Sequence, residues 1–298
     1  MNARILVNRI KYVFKDQEVI TYSKIFSDLL QDLGHEVTVT GWGSQPIPED
    51  VSKYDFLIDL DSGRTPKGNL QFVGKKLPII SAVWYVDSHG HPTEHKRSAK
   101  NYDHVFFCVW AKRDLFIKHP SAHWCPNATD YTYFNSMDKS PKPKFDFGFF
   151  GSKKGLDRAD PMKAICEKRG WSYDIRQVSH QDRHRWPYLA RAMGDCKVLF
   201  NSGQKHDGPN LRVMESMNMG IPLITDKDPL SGMDQIFDPN LHYIPYEAYT
   251  YKGLEESMEW AINNPEKAMV IARNAQWKVQ TEHQVVNRLN QIMSIICK

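Results

Sequence analysis

Residues 196–226, CKVLFNSGQKHDGPNLRVMESMNMGIPLITD, limit what this chain can fold into more than any other stretch. The run Val198-Leu199-Phe200 is apolar on both faces and reads as a buried strand. A polar, glycine-containing loop follows from Asn201 to Pro209, and then a helical pattern with Leu211, Met214, Met217 and Met219 on its apolar side. Gly220 and Pro222 stop that helix, and Ile221 to Thr225 reads as a second buried strand. The result is a β–loop–α–β unit whose loop opens onto a helix N-terminus, where free backbone N–H groups and the helix dipole favour an anion. Asn201, Ser202, Lys205, His206, Asp207, Asn210 and Arg212 crowd that mouth, with Glu215 one turn further on. Spacing alone is also compatible with any α/β unit that carries a polar loop.

The chemistry of the loop narrows this. Asp207 and Glu215 stand eight apart in D-G-P-N-L-R-V-M-E, which continues S-M-N-M-G-I-P-L-I-T-D. The stretch resembles the donor-binding signature of the group 1 glycosyltransferases of the GT-B fold, E-x7-E running into E-A-x-x-x-G-x-P-V-I. It is similar in more detail to their spore-maturation, CgeB-like branch, marked by G-x-N-L-R-x-x-E-x-x-x-x-G. Asp207 stands where the general motif has its first Glu, and Glu215 matches the second. The resemblance implies that Glu215 contacts the ribose of a nucleotide donor. It places Asn201, Asp207, Gly208, Asn210, Leu211 and Arg212 around that donor, the last three near its phosphates.

With 298 residues the chain has room for two α/β domains of about 150 residues each. A hydrophobic content of 41% excludes a disordered chain, and a formal net charge of +4 suits a phosphate-bearing ligand. That charge falls short of the bias of a dedicated nucleic-acid binder. The five cysteines, Cys108, Cys125, Cys166, Cys196 and Cys297, show no C-x-x-C spacing and read as reduced, mostly core residues of a cytoplasmic protein. No run approaches the ~18 apolar residues of a membrane span, so no integral membrane association is expected.

In the first half, Ala3–Val7 reads as a strand, Tyr22–Leu33 as a helix ended by Gly34, and His35–Val39 as the next strand. The intervening loop lacks G-x-G-x-x-G, which argues against a dehydrogenase. Phe56-Leu57-Ile58 is a further strand that ends in Asp59-Leu60-Asp61, either a metal-binding D-x-D or the polar end of a strand. Ile79–Val86 is a strand whose end releases Asp87, His89 and His91. A carboxylate and an imidazole there could take a proton from a hydroxyl, and His89, His91 and His95 have spacing open to zinc. W-Y-V-D-S-H, then Y-D-H-V-F, is similar to the W-x-x-D-x-H and F-D-x-V-F of the CgeB-like pattern. The resemblance makes Asp87 and His89 the catalytic candidates. Val105–Val109 reads as a strand, Ala111–Lys118 as a short helix and Ser136–Lys144 as a linker.

In the second half, F-D-F-G-F-F-G-S at 145–152 resembles the F-x-G-S that opens a GT-B donor domain. Gly151, Ser152, Lys153, Lys154 and Arg158 are then candidates to approach a diphosphate, or alternatively a solvated basic turn. Ala159–Arg169, Leu189–Asp195 and Leu254–Asn263 read as helices, and Glu266–Cys297 as a long helical stretch broken near Thr281.

The expectation is an α/β protein of the GT-B fold, two Rossmann-like domains facing across a cleft. Residues 1–140 would form the acceptor side, 145–265 the nucleotide-sugar donor domain, and 266–298 a helix crossing back. The activity implied is metal-independent transfer of a sugar from a nucleotide-diphospho-sugar, a UDP-sugar first, to an acceptor hydroxyl. No cofactor is implied beyond that donor. The acceptor is open among a glycan, a protein, a small molecule and a modified DNA base. Bases such as Arg9, Lys11, Arg64, Lys96, Arg97 and Lys100 could track a phosphate backbone or merely coat a surface. A non-catalytic nucleotide-sugar or nucleic-acid binding module on the same scaffold, and an epimerase or sugar-phosphate synthase, remain alternatives.

Overall fold

A computed structural model of the chain describes residues 2–9, 13–14, 17–18, 20–41, 44–46, 48–60, 76–86, 88–178, 186–203 and 208–298. The chain divides into two compact units, Met1–Asn127 together with Val285–Lys298, and Ala128–Gln284.

The first unit opens with strand β1 (Arg4–Asn8), whose Ile5, Leu6 and Val7 are buried on both faces as a central parallel strand requires. A short antiparallel pair, β2 (Val13–Phe14) and β3 (Gln17–Glu18), precedes helix α1 (Tyr22–Asp32). Thr21 caps α1 by accepting from the Lys24 N–H at 3.1 Å. Gly34, at φ +86°, lets the chain turn out of the helix into β4 (Glu36–Thr40). Then come β5 (Phe56–Leu60), β6 (Ile80–Tyr85), helix α2 (Pro92–Ala99), β7 (His104–Phe107) and β8 (Ala122–Trp124). The sheet runs β4-β1-β5-β6-β7-β8, with every pairing parallel. Its winding reverses between β1 and β5.

The second unit repeats the plan. Strand β9 (Phe145–Gly151) leads through a 3-10 turn (Lys153–Ala159) into α3 (Asp160–Arg169) and β10 (Tyr173–Gln177). Helix α4 (Trp186–Gly194), β11 (Cys196–Asn201), α5 (Leu211–Asn218), β12 (Leu223–Lys227), β13 (Ile244–Glu247), α6 (Leu254–Asn263) and α7 (Pro265–Glu282) follow. The strands are parallel in the order β10-β9-β11-β12-β13, so this sheet reverses between β9 and β11. Phe147, Phe149, Val198, Phe200, Ile224 and Tyr246 fill the core beneath that point. The chain then returns to the first unit with α8 (Val285–Ile296), which packs on α1 and β6. Arg288 Nε donates to the Pro126 carbonyl at 2.8 Å and Gln291 Nε2 to that of Trp124 at 2.9 Å.

Two parallel-sheet α/β units therefore stand where the sequence implies two Rossmann-like domains. Two local readings change, and a third holds to within two residues. The expected helix at 111–118 is a 3-10 turn at Trp110–Leu115, and the segment after it adds the short edge strand β8. The 266–297 stretch breaks at His283-Gln284, where the Gln284 amide donates to Asn218 Oδ1 at 3.1 Å and to the Val279 carbonyl at 2.9 Å. Residues 136–144 are packed rather than a free linker. Lys139 Nζ donates to the Gly220 carbonyl at 2.7 Å, and the Ser140 N–H to that of Gly194 at 3.0 Å. No helix among the described residues is long and apolar enough to cross a membrane.

Candidate functional site

Ligand sites in open parallel sheets form at the carboxyl ends of the strands, where the winding reverses. In the second unit that place lies beyond Gly151 of β9 and Asn201 of β11, and most of the expected donor residues meet there.

The turn after β9 begins at Ser152, whose carbonyl accepts the Gly155 N–H at 2.9 Å. This folds Arg158 back, so that its Nη1 donates to the Ser202 carbonyl at 2.5 Å and its Nε to that of Gly155 at 3.3 Å. A Cβ on Gly155 would collide with the guanidinium, so only glycine leaves Arg158 this position.

From β11, Asn201 is buried and held from three sides. Its carbonyl accepts the Tyr246 hydroxyl at 3.0 Å and its Nδ2 donates to Thr225 Oγ1 at 2.9 Å. Its Oδ1 accepts from Asn210 Nδ2 at 3.3 Å. Asn210 is the N-cap of α5, accepting the Val213 N–H at 3.2 Å. The preceding N–H groups, of Leu211 and Arg212, have no carbonyl within the helix to bond, and they carry its positive end. Gly208 lies close against Ser231 and Met233, with 2.9 Å from an added Cβ to the Ser231 Cβ.

Arg212 and Glu215 form an ion pair one turn into α5. The Arg212 Nε also donates to the Phe150 carbonyl at 3.0 Å, and Nη1 lies 3.5 Å from Met193 Sδ. The guanidinium of Arg212 is thus committed to the end of β9 and to α4, while its backbone stays at the helix mouth. Glu215 is only 4% exposed. Asp207 and the side chain of Lys153 lie outside the described residues, as do Lys205 and His206.

Two residues here escaped the sequence reading. Thr225 and Asp226 end β12, and Asp226 Oδ1 accepts the Gly203 N–H at 2.8 Å and the Thr225 hydroxyl at 3.2 Å. Burial pushes the Asp226 carboxyl up from its ordinary value, against the pull of the Gly203 N–H. The hydrogen bonds run in one sense, Val213 to Asn210 to Asn201 to Thr225 to Asp226, and tie the helix cap to the loop after β11. The usable signal was a polar pair closing an apolar strand.

In the first unit, His89 is partly buried in the turn after β6, and Asp87 lies outside the described residues. His95 is a core residue, fully buried, stacked on Tyr85 at 4.2 Å and bonded to Ser88 Oγ at 3.1 Å. Among the described residues no group of three or more His, Cys, Asp or Glu could hold a metal ion. Asp59 of the D-x-D is buried and accepts the Tyr102 hydroxyl at 2.5 Å, while Asp61 lies outside the described residues. Arg9 is paired with Glu18 at 2.5 Å, which balances the charge that a phosphate backbone would need.

Two Rossmann-like α/β units in one chain, with a capped helix opening at the reversal of the second sheet, are the GT-B architecture. Residues 134–294 match the family model described as glycosyl transferase-like, more than half of the chain, and the protein belongs to that family. Solved structures agree on the fold. A glycosyltransferase from Rickettsia africae matches with a TM-score of 0.68 at 12% identity, over 99% of this chain and 98% of that one. Sucrose-phosphate synthase from Thermosynechococcus elongatus matches at 0.65 and 10% identity, over 99% and 98%. HepE of Anabaena, solved in complex with UDP and glucose, matches at 0.61 and 14% identity over the full length of both chains. A search among curated proteins returns no match.

Proposed function

We propose that this glycosyltransferase moves a sugar from a UDP-sugar to an acceptor hydroxyl. The observation that carries the reading is the α5 N-terminus, capped by Asn210 and joined through Asn201 to the loop that Arg158 holds. UDP as the nucleotide follows HepE, whose structure holds UDP and glucose on the same fold. The G-P-N-L-R motif at 208–212 favours the CgeB-like branch of the family.

In this reading the bond between the anomeric carbon and the donor oxygen breaks, and its electron pair stays on the departing diphosphate. The N–H groups of Leu211 and Arg212, with Arg158 and Lys153, stabilise that charge without a metal ion. Glu215 holds the ribose, and Asp207 and Gly208 line the loop over the donor. Asp87 or His89, in the first unit, orients or deprotonates the acceptor. Ala128–Gln284 acts as the donor unit and Met1–Asn127 with Val285–Lys298 as the acceptor side, in the cytoplasm. A DNA base is the least favoured acceptor, because Arg9, one of the bases that would have tracked the backbone, already has its charge balanced by Glu18.

Thermal shift with UDP, UDP-glucose and other nucleotide sugars tests the donor site. A ligand at 100 times its dissociation constant adds about 2.7 kcal/mol to stability. Glu215→Gln should keep the fold and lose most of that shift. No shift of the wild-type protein by any nucleotide would remove the donor reading. UDP release that requires an acceptor identifies a transferase, and interconversion of the donor alone an epimerase.

A further inference from the structure

The first sheet also has a winding reversal, between β1 and β5, and unsatisfied chemistry is buried there. Asn8, the last residue of β1, is 1% exposed, and among the described residues neither its Oδ1 nor its Nδ2 has a hydrogen-bond partner. Arg9 follows at 4% exposure. Its Nη2 meets Glu18, but its Nε and Nη1 are sealed from solvent without a partner among the described residues. The backbone holds both side chains at the strand end. Asn8 stands between Thr40 and Asp59 in the parallel register, and the Arg9 N–H donates to the Thr40 carbonyl at 3.0 Å. Gly41, at φ +111°, closes over them, and an added Cβ would stand 2.7 Å from Asn8 Oδ1.

Buried polar groups are paired in nearly all native structures, and those left unpaired call for a specific reason. Two adjacent side chains with four such atoms, at the one point of a parallel sheet where ligands bind, call for a ligand. We infer that Asn8 and Arg9 recognise the acceptor of the transfer reaction, and that the acceptor presents an uncharged, hydroxyl-bearing sugar ring to them. The inference rests on the glycosyltransferase reading above.

Charge decides the ligand class. Glu18 already balances the Arg9 guanidinium, and Asp59 adds a carboxylate on the adjacent strand. A phosphate or carboxylate arriving there would raise the negative charge in a buried site. A hydroxyl adds none, and it both donates and accepts. The Asn8 amide offers both functions as well, and Arg9 adds donors at Nε and Nη1.

The test uses the full-length protein with UDP-glucose and a panel of sugars. Methyl glucoside and methyl galactoside serve as neutral probes, glucose 6-phosphate and glucuronate as charged ones. The variant is Asn8→Leu, similar in size and free of polar atoms. It should melt higher than wild type, because it removes an unsatisfied amide. It should bind UDP as before and raise the KM for the neutral sugars about tenfold or more. A lower melting temperature for Asn8→Leu would show that the amide has a structural partner, such as a fixed water, and would overturn the inference. So would preferred transfer to the charged sugars, an unchanged KM, or rejection of the whole panel by a wild-type protein that binds UDP. Failure of wild-type protein to bind UDP would instead strike the donor reading.

Discussion

Arg158 Nη1 and the carbonyl oxygen of Ser202 are 2.5 Å apart, so one guanidinium joins the loops on either side of the second sheet's reversal. The contact is polar and lies in loops, so its proposed role in donor binding can be tested apart from core packing.

Gly155→Ala makes that test without touching the charge. The new methyl takes the space of the guanidinium, the far end of a flexible side chain, which swings away. Melting should change little, by under about 1 kcal/mol. Loss of a charged contact should weaken UDP binding about tenfold. Calorimetric titration beside a thermal melt reads both, and equal losses in the two would contradict the assignment.

The Arg212–Glu215 pair behaves in the opposite way. Glu215→Ala leaves a largely buried guanidinium with no counter-charge and should cost about 3 kcal/mol by urea unfolding. Arg212→Met combined with Glu215→Leu should cost less than Glu215→Ala alone, because apolar replacement leaves no stranded charge. Glu215→Gln also removes the counter-charge but keeps the side chain's size and an acceptor for the Arg212 N–H, which makes it the gentler probe of the donor site.

How much of this was legible in the sequence depends on where each residue lies. Val198-Leu199-Phe200 and Leu223-Ile224 showed as strands because central parallel strands are apolar on both faces. Gly220 and Pro222 marked the end of α5 by ordinary stop chemistry, whereas Asn210 showed only as a polar residue at its mouth and the structure makes it the N-cap. Strand β8 did not show, because it is a half-buried edge of three residues whose identity comes from its neighbour β7. Thr225 and Asp226 looked like a strand exit until the fold set them beside Asn201 and Gly203. Asn8 and Arg9 looked like the start of a surface loop. Their burial comes from β1 lying between β4 and β5, a relation of residues some thirty to fifty positions apart.

Stability should fall on mild acidification. His104 and His123 both contact Ser121 Oγ, at 2.7 and 2.9 Å. Burial, helped by neighbouring histidines and opposed at His104 by Asp103, holds both imidazoles below the ordinary value of 6.5. A ring that binds its proton less well folded than unfolded favours the folded state above 6.5 and loses that advantage as pH drops through and below it. The melting temperature measured from pH 8 to pH 5 should decline through this range, and less steeply in His123→Asn. A flat profile, or one steeper in the variant, would remove these histidines as the cause.

Thiol chemistry should single out one cysteine. Cys108, Cys125, Cys166 and Cys196 are buried and free, and Cys297 is exposed. Burial pushes the Cys125, Cys166 and Cys196 thiols up to about 12, which withholds the reactive thiolate. A disulfide reagent at neutral pH should label Cys297 in the native protein and all five cysteines after unfolding. Rapid labelling of any of the other four would place it outside the core.

The return of α8 to the first unit has a consequence for synthesis. Strands β1 to β8 emerge early, but the helix that covers β6 and α1 comes only after the whole of residues 128–284. At ordinary elongation rates that is a wait of roughly 10 to 30 s. During that time the second unit, continuous in sequence, has every segment it needs. The first must hold an apolar sheet face in reserve, so the half of the molecule made first is the half completed last.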